Sequence, residues 1–316
     1  MSTRHQDTSQ RLRPQTLRPG SRPYPAVLER ISDPPPVLHL SGQLADAPCV
    51  AIVGSRECTR YGRSVATRLA FDLASVGVVI VSGMARGIDA AAHRGALQAG
   101  GRTVAVLPGG LHPVYPQQHR ALAKCIVARG ALLAEHEPGT AVARWHFPKR
   151  NRIIAGMSLV TVVVEAAQRS GARITADLAL DYDREVLVVP GPITSPTSVG
   201  CNALLSQGAH PCTGAADVVA HLPPTIADRY RSHRGTVLPE NLGEAERAVL
   251  AAIRRRGGAT LEDLLQHTGL ATAAVLATVG ALEIRGLIER LPGNLVCARQ
   301  VPSVQGTGDT LPPAGI

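Results

Sequence analysis

The sequence predicts an α/β protein in two parts: a doubly wound, mostly parallel sheet, then a small C-terminal winged helix-turn-helix domain. Three observations carry this. Apolar runs of strand length alternate with stretches of helical length from residue 50 onward. Aromatics make up only 3% of the chain against 45% hydrophobic residues, so Val, Leu, Ile and Ala must build the core, as in buried parallel strands. Beyond a proline-bearing stretch, three helical patterns and a hairpin follow one another.

In chain order, residues 1–22 carry Arg4, Arg11, Arg13, Arg18 and Arg22 among polar residues and prolines without periodicity, and read as a disordered basic tail. Residues 23–48 include Pro34-Pro35-Pro36 and read as an extended lead-in. The α/β body covers 49–221, with strands at 50–53, 78–81, 103–107, 131–134, 160–164 and 186–189 and helices such as 62–76, 88–99 and 117–129. Right-handed crossovers place those helices on both faces. Residues 222–243, with Pro223-Pro224 and Pro239, read as a linker. In the winged helix, 244–298, helices are expected at 244–256, 261–268 and 272–285, with Gly269 in a turn and a hairpin bending at Pro292-Gly293-Asn294. Residues 299–316 are rich in Pro and Gly and read as a second disordered tail.

Net charge is +9, which fits a polyanionic partner. Nearly every cation is Arg, the only lysines being Lys124 and Lys149. Arg suits bidentate phosphate contact, although a codon bias toward Arg yields the same count and is the larger cause. The segments after the strands concentrate glycine and arginine: Gly54-Ser55-Arg56, Ser82-Gly83-Met84-Ala85-Arg86-Gly87, Pro108-Gly109-Gly110, Glu165 through Arg169-Ser170-Gly171, and Pro190-Gly191. Parallel strands present these C-terminal ends on one edge, where ligands bind open α/β sheets. Helix N-termini there offer amides to anions. Tight βα turns explain any one such loop, but Arg56, Arg86 and Arg169 recur at equivalent positions and favour an anion-binding crevice.

Residues 144–152 read Arg144-Trp145-His146-Phe147-Pro148-Lys149-Arg150-Asn151-Arg152: four cations, no acid, the only tryptophan and one of two phenylalanines. Cations interleaved with rings suit single-stranded nucleic acid, and a solvated Arg-rich loop is the plain alternative. In the winged helix, 272–285 offers only Arg285 as a cation, and Arg254-Arg255-Arg256 complement a helix dipole, so protein contact or a structural role is expected there rather than duplex reading.

Other chemistries lack their residues. The dinucleotide pattern Gly-x-Gly-x-x-Gly, the Walker A pattern and the Gly-x-Ser-x-Gly elbow are missing. His93, His112 and His136 read as polar surface residues, and Glu135 and Glu165 as partners of neighbouring arginines rather than as an acid/base pair. Cys49, Cys58, Cys125, Cys201, Cys212 and Cys297 form no CxxC pair and no zinc-ligand spacing, which reads as reduced thiols. With no apolar signal core and no run of membrane-spanning length, a cytoplasmic location is expected.

The segments Val53-Gly54-Ser55-Arg56, Ser82 through Asp89, Pro108-Gly109-Gly110, Phe147-Pro148-Lys149-Arg150-Asn151-Arg152-Ile153-Ile154-Ala155-Gly156, Ser170-Gly171-Ala172-Arg173-Ile174-Thr175 and Pro190-Gly191 resemble, in order, the DNA-processing protein DprA/Smf family. The resemblance covers about residues 23–220 and implies an extended Rossmann domain that binds single-stranded DNA as a homodimer. It also implies protection of incoming DNA and loading of RecA recombinase in natural transformation and recombination. The family's phosphate-binding Arg falls on Arg56, its basic residue three before the Phe on Arg144, and the Phe lying against the strand on Phe147. Its winged helix fits 244–298, while the stretch before residue 23 is too short and polar for the N-terminal helical domain many members carry.

The resulting expectation is a non-enzymatic single-strand binder with no cofactor and no metal. Arg56 and Arg144 hold phosphates, Phe147 packs on a base or sugar, and Lys149, Arg150 and Arg152 extend the positive track. Ser55, Gly110 and Gly171 offer backbone or hydroxyl donors, and Asn151 and Arg169 complete the set. Lys149 and Arg150 have a second reading, turned inward to brace Glu135 or Glu165. The alternative function is a nucleoside-monophosphate phosphoribohydrolase of the LOG type on the same fold. Those enzymes carry Pro-Gly-Gly-x-Gly-Thr, where this chain has Pro108-Gly109-Gly110-Leu111-His112-Pro113.

Overall fold

The structure is a computed structural model and describes residues 14–234, 242–256, 258–285, 287–291 and 295–298. The chain divides between residues 236 and 237 into two compact units.

The first unit runs β1 (Gln15–Leu17), β2 (Leu38–Gly42), β3 (Cys49–Gly54), α1 (Arg60–Ala74), β4 (Val79–Ser82), α2 (Ile88–Gln98), β5 (Thr103–Leu107), α3 (Arg120–Arg129), β6 (Ala131–Ala134), α4 (His146–Met157), β7 (Val160–Val164), α5 (Gly171–Asp181), β8 (Glu185–Val188), α6 (Val199–Ser206), β9 (His210–Pro211), α7 (Ala215–Val219) and α8 (Pro224–Arg234). Among the described residues these strands form a nine-stranded sheet in the order β1-β2-β6-β5-β4-β3-β7-β8-β9. All pairs from β6 to β9 are parallel, and β2 joins β6 antiparallel. The strands are aliphatic because both faces are covered. In β3, Ala51 and Val53 face one core cluster while Val50 and Ile52 face the other. From β3 the chain winds one way through β4, β5 and β6, then returns to place β7 on the other side of β3. The crevice of this fold therefore opens outside the C-terminal ends of β3 and β7.

Three stretches depart from the sequence reading. Residues 14–22, expected in a disordered tail, include β1, whose Leu17 is buried and whose Gln15 pairs with Leu40; residues 1–13 lie outside the described residues. The lead-in holds a 3-10 turn at Leu28–Arg30 and β2, with Leu28, Ile31, Leu38 and Leu40 buried. Each such side chain contributes about 1.5–3 kcal/mol of burial, and β2 pairs the otherwise open edge of β6. In the expected linker, Pro224 opens α8, a position where its missing N–H costs nothing. Ile226 and Tyr230 then dock α8 on the core. Residues 235–241 and 299–316 and the hairpin bend at 292–294 lie outside the described residues.

His93 also departs from expectation, being fully buried in α2. Its Nδ1 lies 2.7 Å from Thr103 Oγ1, whose own proton goes to the Ile80 carbonyl at 2.7 Å. Nδ1 must therefore carry the proton, leaving Nε2 buried without a partner. Burial, with His119, Arg150 and Arg94 nearby, pushes the imidazole down from 6.5 to about 3. Between those values the group takes up its proton only on unfolding. The stability due to neutral His93 is complete above pH 6.5 and falls away as pH drops toward 3, by up to about 1.4 kcal/mol per pH unit. Urea unfolding between pH 4 and 7 is expected to show this slope, and His93→Leu to flatten it; an unchanged slope in the variant would assign the proton uptake elsewhere.

The second unit comprises α9 (Glu244–Arg256), β10 (Ala259–Thr260), α10 (Leu261–Thr268), α11 (Thr272–Ile284), β11 (Ile288–Leu291) and β12 (Leu295–Ala298), with the sheet order β10-β12-β11. Thr260 and Asp263 form a reciprocal cap on α10, and Gly269 ends it at φ 65°. Val249, Leu250, Ile253, Leu264, Val275, Val279 and Leu282 fill its core. This is a winged helix.

Among the described residues no single helix is long and apolar enough to cross a membrane.

Candidate nucleic-acid interface

The loop after β3 is fixed from two sides. Ser55 N–H donates to the Glu165 carbonyl at 2.8 Å, bridging the ends of β3 and β7. The buried Glu165 carboxylate accepts Thr59 N–H at 2.9 Å and the Thr59 hydroxyl, and Thr59 in turn accepts Gly62 N–H at 3.1 Å. An acid there complements the N-terminus of α1. Glu165 thus holds a helix start, not an arginine. From the other side Ile88 N–H donates to the Ser55 carbonyl at 3.1 Å. Gly87 makes this approach possible: its φ is 78°, and a Cβ would strike the Ser55 carbonyl and reach within 2.8 Å of the Arg56 carbonyl. On this frame the Arg56 side chain is exposed.

Residues 144–152, expected as a basic track, divide by depth. Arg144, Trp145, Pro148 and Lys149 are exposed and Phe147 is half-buried, but α4 carries Arg150, Asn151 and Arg152 into the interior. Pro148 sits in the first turn, where proline is tolerated. The Arg56 guanidinium lies over the Phe147 ring, 4.7 Å from its centroid, and Phe147 N–H donates to the Arg144 carbonyl. Tyr115, 43% exposed, stands edge-on to Phe147 at 6.0 Å. Trp145, 63% exposed, packs its edge on His146 at 4.0 Å, and His146 stacks on His136 at 4.0 Å. Burial and the neighbouring His146 lower the pKa of His136, which favours the neutral ring in this stack.

The buried members have other work. Arg150 donates to the Gly83 carbonyl at 2.7 Å and to the Val106 carbonyl, tying the ends of β4 and β5 to α4. A Cβ on Gly83 would occupy the guanidinium's place, 2.5 Å from its nitrogens. Asp89 lies in the same pocket, its carboxylate accepting Gly83 and Ala85 N–H at 3.2 Å each. Burial raises the Asp89 pKa, opposed by Arg150, and lowers that of Arg150 to about 10, opposed by Asp89. Arg150 therefore turns inward, as the second reading had it, yet toward Asp89 and carbonyls rather than Glu135 or Glu165. Arg152 bonds Glu135 at 2.6 Å and the Asp33 carbonyl at 2.8 Å, and Asn151 donates to the Gly171 carbonyl at 3.2 Å. All three side chains are buried and bonded to groups of the protein itself.

Two expected backbone donors are committed as well, while the Ser55 hydroxyl is not shown donating among the described residues. Gly110 is buried and its N–H goes to the Thr140 carbonyl at 3.0 Å. The Ser55 amide is spent on Glu165, while its hydroxyl oxygen accepts Glu57 N–H at 3.1 Å. Gly171 is exposed, with open space where a Cβ would stand. Lys149 is 45% exposed and 3.4 Å from Glu135, so it both braces and shows its charge. The exposed cations Arg86 and Arg169 sit on the loops after β4 and β7. The structure brings the Arg56 and Phe147 side chains together, links Arg144 to Phe147 through its backbone carbonyl, and shows no contact of Arg169 with them among the described residues. Tyr115 was missed, though Pro113-Val114-Tyr115-Pro116 follows a strand end and could have signalled a rim aromatic.

In the second unit, Arg285 just beyond α11 pairs with Glu246 at 2.9 Å, while Leu276 and Ile284 of α11 are 46% and 89% exposed. An apolar exposed face differs from the polar face of a base-reading helix.

The family model for DNA recombination-mediator protein A matches residues 15–223, and that for the DprA winged helix domain matches 236–294. The putative DNA processing protein DprA of Mycobacterium tuberculosis H37Rv is 46% identical over 247 residues, 77% of this chain; the match spans 63% of that protein's length. The X-ray structure of DNA processing protein A from Streptococcus pneumoniae superposes with a TM-score of 0.64 at 39% identity, covering 66% of this chain and 74% of that one. For the Helicobacter pylori protein, described for its single-stranded DNA binding mode, the TM-score is 0.60 at 31% identity, covering 66% and 95%.

Proposed function

Because the chain belongs to the DprA/Smf family of DNA-processing proteins, we propose that it binds single-stranded DNA along the rim outside β3 and β7. The observation that carries this is the Arg56 guanidinium resting on Phe147, with Arg144 one turn before it. The fixed loop presents the Arg56 charge, and the aromatic edge beside it offers bases a stacking surface. Arg56 and Arg144 take phosphates, Phe147, Tyr115 and Trp145 serve the sugar–base side, and Lys149 and Arg169 extend the field. No base edge needs to be read, so the grip is sequence-tolerant. As a homodimer, the protein protects incoming strands and passes them to RecA recombinase, without a chemical step of its own.

Gel-shift titration with matched oligonucleotides tests this. Single strands are expected to bind at least about tenfold more tightly than duplex, whose bases are unavailable for stacking; equal affinities would remove the rings from the site. The phosphoribohydrolase reading fares worse, because the Gly110 amide that would cradle a phosphate is bonded to Thr140. Incubation with nucleoside monophosphates is expected to release no free base.

A further inference from the structure

We propose that Glu185, His210 and His221 form a binding site for a divalent late transition metal, with zinc as the fitting ion. Glu185 opens β8, His210 begins β9, and His221 follows α7. One donor atom from each lies within 4.8 Å of the other two. Glu185 Oε2 stands 3.4 Å from His221 Nδ1 and 3.7 Å from His210 Nε2. Ordinary N–H···O bonds measure about 2.7–3.2 Å, so both separations exceed that length while staying within reach of an ion pair. Nitrogen and oxygen ligands about 2.0–2.2 Å from a tetrahedral zinc lie about 3.3–3.6 Å apart, close to both values.

Chemistry points the same way. Two imidazoles converge on a single carboxylate oxygen, with their centroids 5.0 Å apart and planes tilted by 41°. A ring can turn an N–H toward the oxygen, but at 3.4 and 3.7 Å neither contact has the length of an ordinary hydrogen bond. A shared cation satisfies all three donors. A nitrogen-rich set suits zinc, copper or nickel and not magnesium or calcium. Three protein ligands leave a fourth position for water. The metal would staple β9, a two-residue edge strand, and the chain leaving α7 to the start of β8. That is the opposite end of the strand from the rim, so the site is separate from the proposed DNA grip.

The test is zinc titration of the untagged, chelator-dialysed full chain by calorimetry, with cobalt(II) absorption as a second readout. One high-affinity zinc per chain is expected, and the cobalt form should show d–d bands without a thiolate charge-transfer band. His210→Ala and His221→Ala should each weaken binding by more than about tenfold, since even outer-shell losses cost about 10–100-fold. Both histidines are at least partly exposed, so circular dichroism should report intact folding. No zinc uptake, uptake unchanged in the double variant, or a thiolate band showing cysteine ligation would each overturn the assignment.

Discussion

The Arg56→Ala, Arg144→Ala double variant is expected to bind single-stranded DNA roughly fifteenfold more weakly at about 0.15 M salt, with a salt slope shallower by about 1.4. The estimate follows from counterion release: each phosphate contact on a single strand adds about 0.7 to the magnitude of the slope. Each single variant should lose about fourfold. Both side chains are exposed, so the fold should survive. The Arg56 contact with Phe147 contributes only about 0.5–1 kcal/mol, a minor part of the stability of the unit. Arg102, exposed and just ahead of β5, lies at the other end of the strands and provides a control whose removal should leave the slope nearly unchanged. Equal slopes for the parent and the double variant in fluorescence-anisotropy titrations would move the DNA site away from this rim.

Arg150→Ala should give the opposite signature: a large loss of stability with little change in the salt slope of the protein that remains folded. The buried guanidinium is bonded to the Gly83 and Val106 carbonyls, with the Asp89 carboxylate near enough to act on it electrostatically. Removing it leaves both carbonyls buried without their partner and takes the nearby cation from Asp89, a loss of about 3–5 kcal/mol on the scale of about 1–3 kcal/mol per orphaned buried group. For a unit of this size that corresponds to a fall in Tm of roughly 6–20 °C. Arg150→Lys should recover little, because a single ammonium does not reproduce the planar fork. Differential scanning calorimetry decides it; a stable variant with a shallower salt slope would return Arg150 to the phosphate track.

The two arginines, 56 and 150, show what a sequence discloses and what it hides. The central strands were readable because strands covered on both faces are written in aliphatics, as at Val160–Val164. The short strands β1 and β9 were not, since three and two residues cannot display an alternation. Arg56 stood out because a cation directly after a strand end has only the rim to occupy. Arg150 looked like its equal, and α4 looked like a loop, since Pro148 and four cations mask a helix whose far half is buried on every side. The acceptors that make a buried guanidinium tolerable come from Gly83 and Val106, 67 and 44 positions away, and local pattern does not encode such pairings. The burial of His93 is hidden from the sequence for the same reason, its partner Thr103 lying at the start of β5.

The flanks of the large sheet bear on how copies of this chain can associate. One margin is β1, three residues long, and the other is β9, two residues ending in Pro211. Such stubs offer too few free amides and carbonyls to template another strand, and proline removes one donor outright. Among the described residues, the margins of this sheet therefore give another chain little backbone to pair with, and an association of copies through this unit would draw on side-chain surfaces instead.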